Sequence, residues 1–347
     1  FTQNHFIYQG DNPLRLGTLK NFEMYTFYIN KDTYSKPLIT ADLINLTSDN
    51  PFEEKYSTIK VAGIKSGGQL NIGDQFILMH ASELIGKEGV IFETLDNSRY
   101  FTQRALQGFS FVYDLGIMVD LDSKTVSATV VDPDNPVISK IEIDPVKPFD
   151  PTDPTDPTDP TDPTNPIKPG IPGGKVNPQL KSLSEGYLAG AALTNRGADL
   201  LVSEVLTKSN HLLGYQSIAA IKASYTRYNS GSHIKSKDFN AILGGSLTLD
   251  NNVTVGAFFE GGTSDYDTYN TFQRDGDIRG DGDSNFFGLG LFTKFQDDSG
   301  FFAELSLRGG KSKTSFQSDT FISGDGLMAS YKVKPSYFGT HIGAGYE

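Results

Sequence analysis

Between Phe239 and Gly262 the chain reads FNAILGGSLTLDNNVTVGAFFEGG, two runs of period two joined by the turn Asp250-Asn251-Asn252. Strand side chains alternate between faces, so Phe239, Ala241, Leu243, Gly245, Leu247 and Leu249 share one side. Asn240, Gly244, Ser246 and Thr248 take the other, with Ile242 as the exception. The second run repeats the scheme: Val253, Val255, Ala257 and Phe259 oppose Thr254, Gly256, Glu260 and Gly262, and Phe258 is its exception. Such a hairpin has one polar wall and one apolar wall, and something apolar has to cover the second.

The pattern continues to the C-terminus. Six strands are expected after Gly214, at 216–228, 234–249, 252–264, 285–296, 301–314 and 328–347. On the fifth, Phe301, Ala303, Leu305 and Leu307 oppose Glu304, Ser306 and Arg308, so its charges keep to one face. A charge facing lipid at mid-membrane costs about 2–4 kcal/mol, so these must point into a lumen if the other face meets lipid. Connections are expected to alternate, with short turns at Asp250-Asn251-Asn252 and Asp297–Gly300 and long loops of about twenty and thirteen residues elsewhere. That order is the one used by outer-membrane barrels. A soluble sandwich would need a second layer over the outward Phe and Leu of every strand. Inside the lumen, Lys222, Glu260, Glu304 and Arg308 are expected to meet Asn195, Arg196 and Asp199 of a preceding helix and hold it as a plug.

That helix is placed at 182–208, where Ser182-Leu-Ser-Glu185 has capping-box spacing and the run from Tyr187 to Leu206 suits a helix better than a strand. Residues 144–181 form a tether in which five DPT triplets, from Asp150 to Thr164, enforce an extended spacer with no core. Residues 1–143 hold short β-branched and aromatic runs such as Met24–Ile29, Leu38–Ile44, Phe76–Met79, Gly89–Phe92, Phe111–Tyr113 and Val126–Val131. Turn clusters such as Ser48–Pro51 and Asn71–Asp74 separate them, which is compatible with a sandwich or a strand solenoid.

The net charge of −12 argues against a nucleic-acid partner, and the absence of cysteine excludes disulfides and thiolate chemistry. No stretch approaches the ~18 apolar residues of a membrane-spanning helix. The first residues carry no basic and apolar signal-peptide pattern, so the sequence is expected to start at a mature N-terminus or inside a longer chain. The five histidines, His5, His80, His211, His233 and His341, are isolated, with no metal-ligand spacing. No nucleophile elbow is present, and Asp298-Ser299-Gly300 is a hairpin turn, so neither an enzyme nor a cofactor is expected. Asp275–Asp283 is the one dense charged constellation and contains Arg279-Gly280-Asp281. Weak Ca²⁺ binding and receptor binding are secondary readings; a solvated approach to a hairpin in an external loop is the main one.

The order of these segments resembles the C-terminal half of a bacterial autotransporter, the type Va secretion system. Ala191–Leu200 resembles the start of that family's pore helix, Tyr225–His233 its first external hairpin, and Gly280–Gly290 the descent into its fourth strand. Upstream, Asn21–Tyr28 and Gly68–Ile77 resemble the last rungs of a passenger. The resemblance implies a mainly β chain: C-terminal rungs of a right-handed passenger β-helix (1–143), a Pro-rich linker (144–181), a pore helix (182–208) and an incomplete transmembrane antiparallel β-barrel (209–347). About six of twelve strands would be present, with the rest of the barrel and the effector part of the passenger outside this sequence. It implies a translocator unit in the outer membrane that exports its passenger and anchors it at the cell surface. Implied partners are outer-membrane lipid, the barrel-assembly machinery, periplasmic chaperones and a host-surface ligand of the passenger. The rival reading is a surface adhesin or binding module whose barrel is only an anchor. Asn195 lies where some members of the family are cut, but the double-Asn motif is absent and no processing is expected.

Overall fold

A computed structural model describes residues 4–31, 36–47, 56–65, 67–95, 98–141, 171–208, 214–229, 233–249 and 252–346. The DPT repeats, the turn Ser48–Pro51, Asp250 and Asn251 of the central turn, His211 and Glu347 lie outside the described residues. The chain is mainly β and divides into two compact units, one running to Asn177 and including Ser323–Leu327, the other comprising Pro178–Ile322 and Met328–Glu347.

The first unit contains β1 (His5–Tyr8), β2 (Leu14–Leu19), β3 (Met24–Ile29), β4 (Ile39–Asn45), β5 (Thr58–Ile64), β6 (Gln75–Ile85), β7 (Gly89–Ile91), β8 (Glu93–Leu95), β9 (Ser98–Tyr100), β10 (Gln103–Gln107), β11 (Phe111–Asp120), β12 (Thr125–Val130) and β13 (Lys175–Val176). β1, β3, β5 and β10 pair in parallel as one column, and β2, β4 and β6 as another. Alternate strands stacking in this way mean that the chain coils, so of sandwich and solenoid it is the solenoid that forms. Antiparallel pairing of β10 with β11, β11 with β12 and β12 with β6 joins the two columns into one sheet. The apolar sides of the columns meet: Tyr25, Phe27 and Ile29 of β3 pack in one cluster with Ile39 and Ile44 of β4, Ile59 and Val61 of β5, and Leu115 and Ile117 of β11. Each such side chain contributes about 1.5–3 kcal/mol by leaving water. The Asn71–Asp74 turn forms as expected, with Gly73 at φ 95° and Asp74 Oδ2 accepting from the Asn71 amide at 2.8 Å. Residues 171–177 depart from the expected tether: β13 pairs with β11, and Asn177 Nδ2 donates to Phe109 O at 2.9 Å.

The second unit is a helix and a seven-stranded antiparallel sheet curled into a half-barrel. Its strands are β14 (Gly214–Tyr228), β15 (His233–Thr248), β16 (Val253–Phe272), β17 (Gly276–Gln296), β18 (Phe301–Ile322), β19 (Met328–Val333) and β20 (Ser336–Tyr346). β19 and β20 both pair with β18, Thr314 facing Val333 and Lys311 facing Ser336, so they form one wall strand interrupted at Lys334-Pro335. Proline has no amide to give the ladder, but its carbonyl still accepts from the Ser312 amide at 2.9 Å.

A second expectation is corrected here. The long loops after the third and fifth strands are strand: β16 and β17 stay paired up to Phe272 and Gly276, and β18 runs on to Ile322. Period two persists there without an apolar face, which makes the segments read as loops. Polar contacts support them instead. Ser315 Oγ donates to Asp283 at 2.5 Å, Gln317 Nε2 to Asp281 at 2.9 Å and the Tyr269 hydroxyl to Asp277 at 2.9 Å.

Candidate functional site

The concave face of the half-barrel holds α1 (Lys181–Leu200), which enters through a 3₁₀ turn at Pro178–Leu180 and ends in a π-helical turn at Leu201–Leu206. The capping box does not form. The helix starts before Ser182, no side chain caps it, and Ser182 and Glu185 lie buried inside its first turns. Pro178 explains the early start, since its fixed φ suits a helical first turn and it lacks the amide that would go unpaired.

The helix can sit close to the wall because the residues that face it are small. A β-carbon on Gly186 would collide with the Tyr266 and Tyr331 hydroxyls, on Gly190 with Thr314 Oγ1, and on Gly197 with the Phe286 ring at 2.7 Å. The C-terminal end is held differently. Leu200, Leu201, Val205 and Leu206 form an apolar cluster with Ala220, Ile242, Phe258 and Phe292. Ile242 and Phe258, the two exceptions to the alternation, are therefore the inward side chains that receive the helix end. Lys294 Nζ donates to Leu206 O at 3.0 Å, a cation on the carbonyl end of the helix.

Two arginines hold the middle. Arg308 of β18 points inward, its Nη1 2.7 Å from Glu260 Oε2 and its Nη2 donating to the helix carbonyl of Thr194 at 2.6 Å. The Tyr337 hydroxyl donates to the other oxygen of Glu260 at 2.7 Å, and its ring lies 5.2 Å from the guanidinium. Both charges are almost wholly buried, so desolvation offsets much of their attraction; the geometry gives the pair its value as a register for the helix. Arg196 of α1 reaches outward in the opposite sense, pairing with buried Asp238 of β15 and donating to Ser236 Oγ at 3.3 Å and the Tyr228 hydroxyl at 3.1 Å. Ser264 Oγ also donates to Asp238, at 2.5 Å. Near the helix start, the Tyr331 hydroxyl donates to Leu183 O at 2.6 Å and accepts from the Tyr187 amide at 3.1 Å. Glu185 is fully buried beside this contact, and neither carboxylate oxygen has a hydrogen-bond partner among the described residues.

Of the seven residues expected at this site, Glu260, Arg308 and Arg196 are in the network, Arg308 meeting the helix through a backbone carbonyl. Asn195 and Asp199 are exposed, and Lys222 is exposed on β14; none of the three makes a hydrogen bond or ion pair among the described residues. Glu304 is buried but turns to His341 Nε2 at 2.8 Å, away from the helix. Sequence reasoning missed Asp238, Tyr337, Tyr331 and the role of Lys294. Asp238 and Lys294 share the polar phase of their strands, which is the signal that finds them; Tyr337 and Tyr331 are aromatic residues in a polar phase and look anomalous.

Arg279-Gly280-Asp281 lies within paired β17, with Gly280 buried against the Phe316 ring, so it does not sit in a loop. Among the described residues, one carboxylate group is tight enough to share a cation: Glu88, Asp120 and Asp122 of the first unit. There the Lys140 ammonium lies 2.7, 3.1 and 3.3 Å from the three in the order Glu88, Asp120 and Asp122. Burial alone would raise the Asp120 carboxyl; hydrogen bonds from Lys140 and Ser123 outweigh it and hold the group below its ordinary range. Scanned against family models, curated proteins and solved structures, the chain matches none of them.

Proposed function

We propose that this chain is a translocation and anchoring unit of the autotransporter kind: its half-barrel is wall in an outer membrane, α1 fills the lumen, and the solenoid stands at the cell surface as the stalk of an exported passenger. The observation that carries the reading is an apolar belt on the convex face. Phe287 to Phe295 on β17, Phe301 to Gly309 on β18 and Phe338 to Tyr346 on β20 are each nine residues, near the ~9–11 that a tilted strand needs to cross a bilayer. The belt side chains are open to the outside, Phe287 at 63%, Leu289 at 57% and Ile342 at 80% exposure. Phe239, Phe287 and Phe338 mark one rim and Phe295, Phe301 and Tyr346 the other, as aromatic girdles do. Water is a poor solvent for such a surface, whereas the polar face of the wall is the one that holds the helix.

A wall of this kind needs closing. β14 and the β19/β20 strand each lack a partner on their outer edge among the described strands, and an open edge in lipid leaves amides and carbonyls unpaired. Further strands are therefore required. The test is protease treatment of intact Gram-negative cells producing the whole protein. The reading expects the solenoid to be digested while the half-barrel is protected in the outer-membrane fraction; recovery of the chain as a soluble periplasmic protein would overturn it. Single-channel recording adds a second check: Arg308→Glu should raise the conductance of the closed barrel by loosening α1, and unchanged conductance would remove the plug from the proposal.

A further inference from the structure

Directly beyond the upper rim of the belt, the convex face carries charge that is sorted by strand. On β15 and β16 the cross-strand pairs are complementary, Lys235 facing Asp267 and Lys237 facing Asp265. On β17, Asp281 takes Gln317 and Asp283 takes Ser315. On β18 and the β19/β20 strand the charge next to the belt is positive, Lys311, Lys313, Lys332 and Lys334; Lys313 and Lys334 act on Lys332 with the same sign and Asp283 of β17 with the opposite one, and Asp319 lies further along β18. Among the described residues none of the four forms a salt bridge. Like charges on neighbouring strands repel, and Asp283, which also takes Ser315, offsets only part of that repulsion, so an excess of positive charge is left on this face.

Their height on the wall identifies what would offset the excess. Phe287, the last ring of the belt on β17, faces Lys311 across the ladder, and Asn285 one step above it faces Lys313. Lys332 is opposite Ser315, two residues further up. The four ammonium groups thus occupy the tier where acyl chains end and headgroups begin, and lysine stems can lie along the apolar rim while the ammonium groups reach phosphate. We propose that Lys311, Lys313, Lys332 and Lys334 form a docking site for the phosphate headgroup of an anionic membrane lipid. The inference rests on the membrane reading of the half-barrel and adds a lipid class and a place on the wall.

The experiment is flotation of the full chain with vesicles of phosphatidylcholine alone and with vesicles containing about one-fifth phosphatidylglycerol. The expected result is roughly tenfold less lipid needed for half-maximal flotation on the anionic vesicles, a preference lost in the combined Lys→Gln variant at the four positions. That variant should still float on phosphatidylcholine and keep the strand signal of the wild type in circular dichroism, which together show that it folds and binds the bilayer. Lys235→Gln with Lys237→Gln, whose charges face aspartates, should keep the preference. Equal flotation on both vesicles, or a preference that survives the fourfold variant, overturns the lipid site and leaves the membrane reading standing. Displacement by millimolar inorganic phosphate at constant ionic strength also overturns it, in favour of a site for free anions. Flotation on neither vesicle overturns both.

Discussion

The two units of this chain solve one problem in opposite ways. In the solenoid, Tyr25, Phe27, Ile59 and Leu115 are inside and charges such as Asp11 and Lys65 pair on the surface. In the half-barrel, Glu260, Arg308, Asp238 and Lys294 are inside, while Phe287, Leu289 and Ile342 are outside. Both are built from strands of period two, so alternation alone does not tell inside from outside. What separates them is the kind of partner available to the inward face: a facing column of apolar side chains in one case, a helix with exposed carbonyls and an arginine in the other. The solenoid is held by area removed from water, and the position of α1 by a few directional contacts.

The largest effect is expected where a directional contact is broken. Arg308→Met leaves Glu260 buried without its cation and should cost about 3–5 kcal/mol, read as a fall in the thermal transition of the half-barrel in detergent. Adding Glu260→Leu should recover much of the loss; a double variant as unstable as the single one would mean that packing, not charge, holds the helix. Next comes a matched pair of leucines. Leu115→Ala, in the solenoid interior, should cost about 3 kcal/mol in urea unfolding, while Leu289→Ala on the convex face should cost under about 1 kcal/mol in detergent. Equal costs would erase the contrast between the units.

A smaller effect with opposite sign is expected at Glu185, whose buried carboxylate lacks hydrogen-bond partners among the described residues. Glu185→Met should stabilise the half-barrel by about 1–3 kcal/mol, and a loss of stability on calorimetry would show that the carboxyl group has a partner in solution. The smallest belongs to the solenoid surface. Asp120 has a lowered pKa in the folded state, so its contribution is complete above the ordinary carboxylate range and disappears as pH falls below about 4. The difference in urea midpoint between wild type and Asp120→Asn should therefore shrink between pH 7 and pH 3. A difference that stayed constant would detach the effect from the Lys140 contact.

Legibility differed by region for physical reasons. Met24–Ile29 is read from sequence at its observed boundaries because an apolar run in a column is buried along most of its length. The ends of β16, β17 and β18 are not, because polar strands held by Asp–Ser and Asp–Gln contacts have the composition of loops. At the candidate site, Glu260 stands out as a charge in an otherwise uncharged polar phase, and Arg308 as one of two charges, with Glu304, confined to one face of the run Phe301–Arg308. Asn195 and Asp199 are chosen as polar residues that interrupt the apolar stripe of the predicted helix, which gives their neighbours along α1 but not its rotation against the wall. Gly186, Gly190 and Gly197 decide that rotation by letting one face approach Tyr266, Thr314 and Phe286.

By itself, the amino-acid sequence determined period two, the sorting of apolar and polar side chains onto opposite faces of each wall strand, and the position of one helix ahead of them. These follow from backbone geometry acting on neighbours in the chain. Only the tertiary structure decided that alternate strands of the first unit stack into columns, that Arg308 meets Glu260 and a helix carbonyl, that Glu304 turns to His341, and that four lysines stand together at the belt's rim. Those are meetings between residues far apart in sequence. Strand register and the depth to which a glycine face lets the helix approach set them, and neither quantity is local.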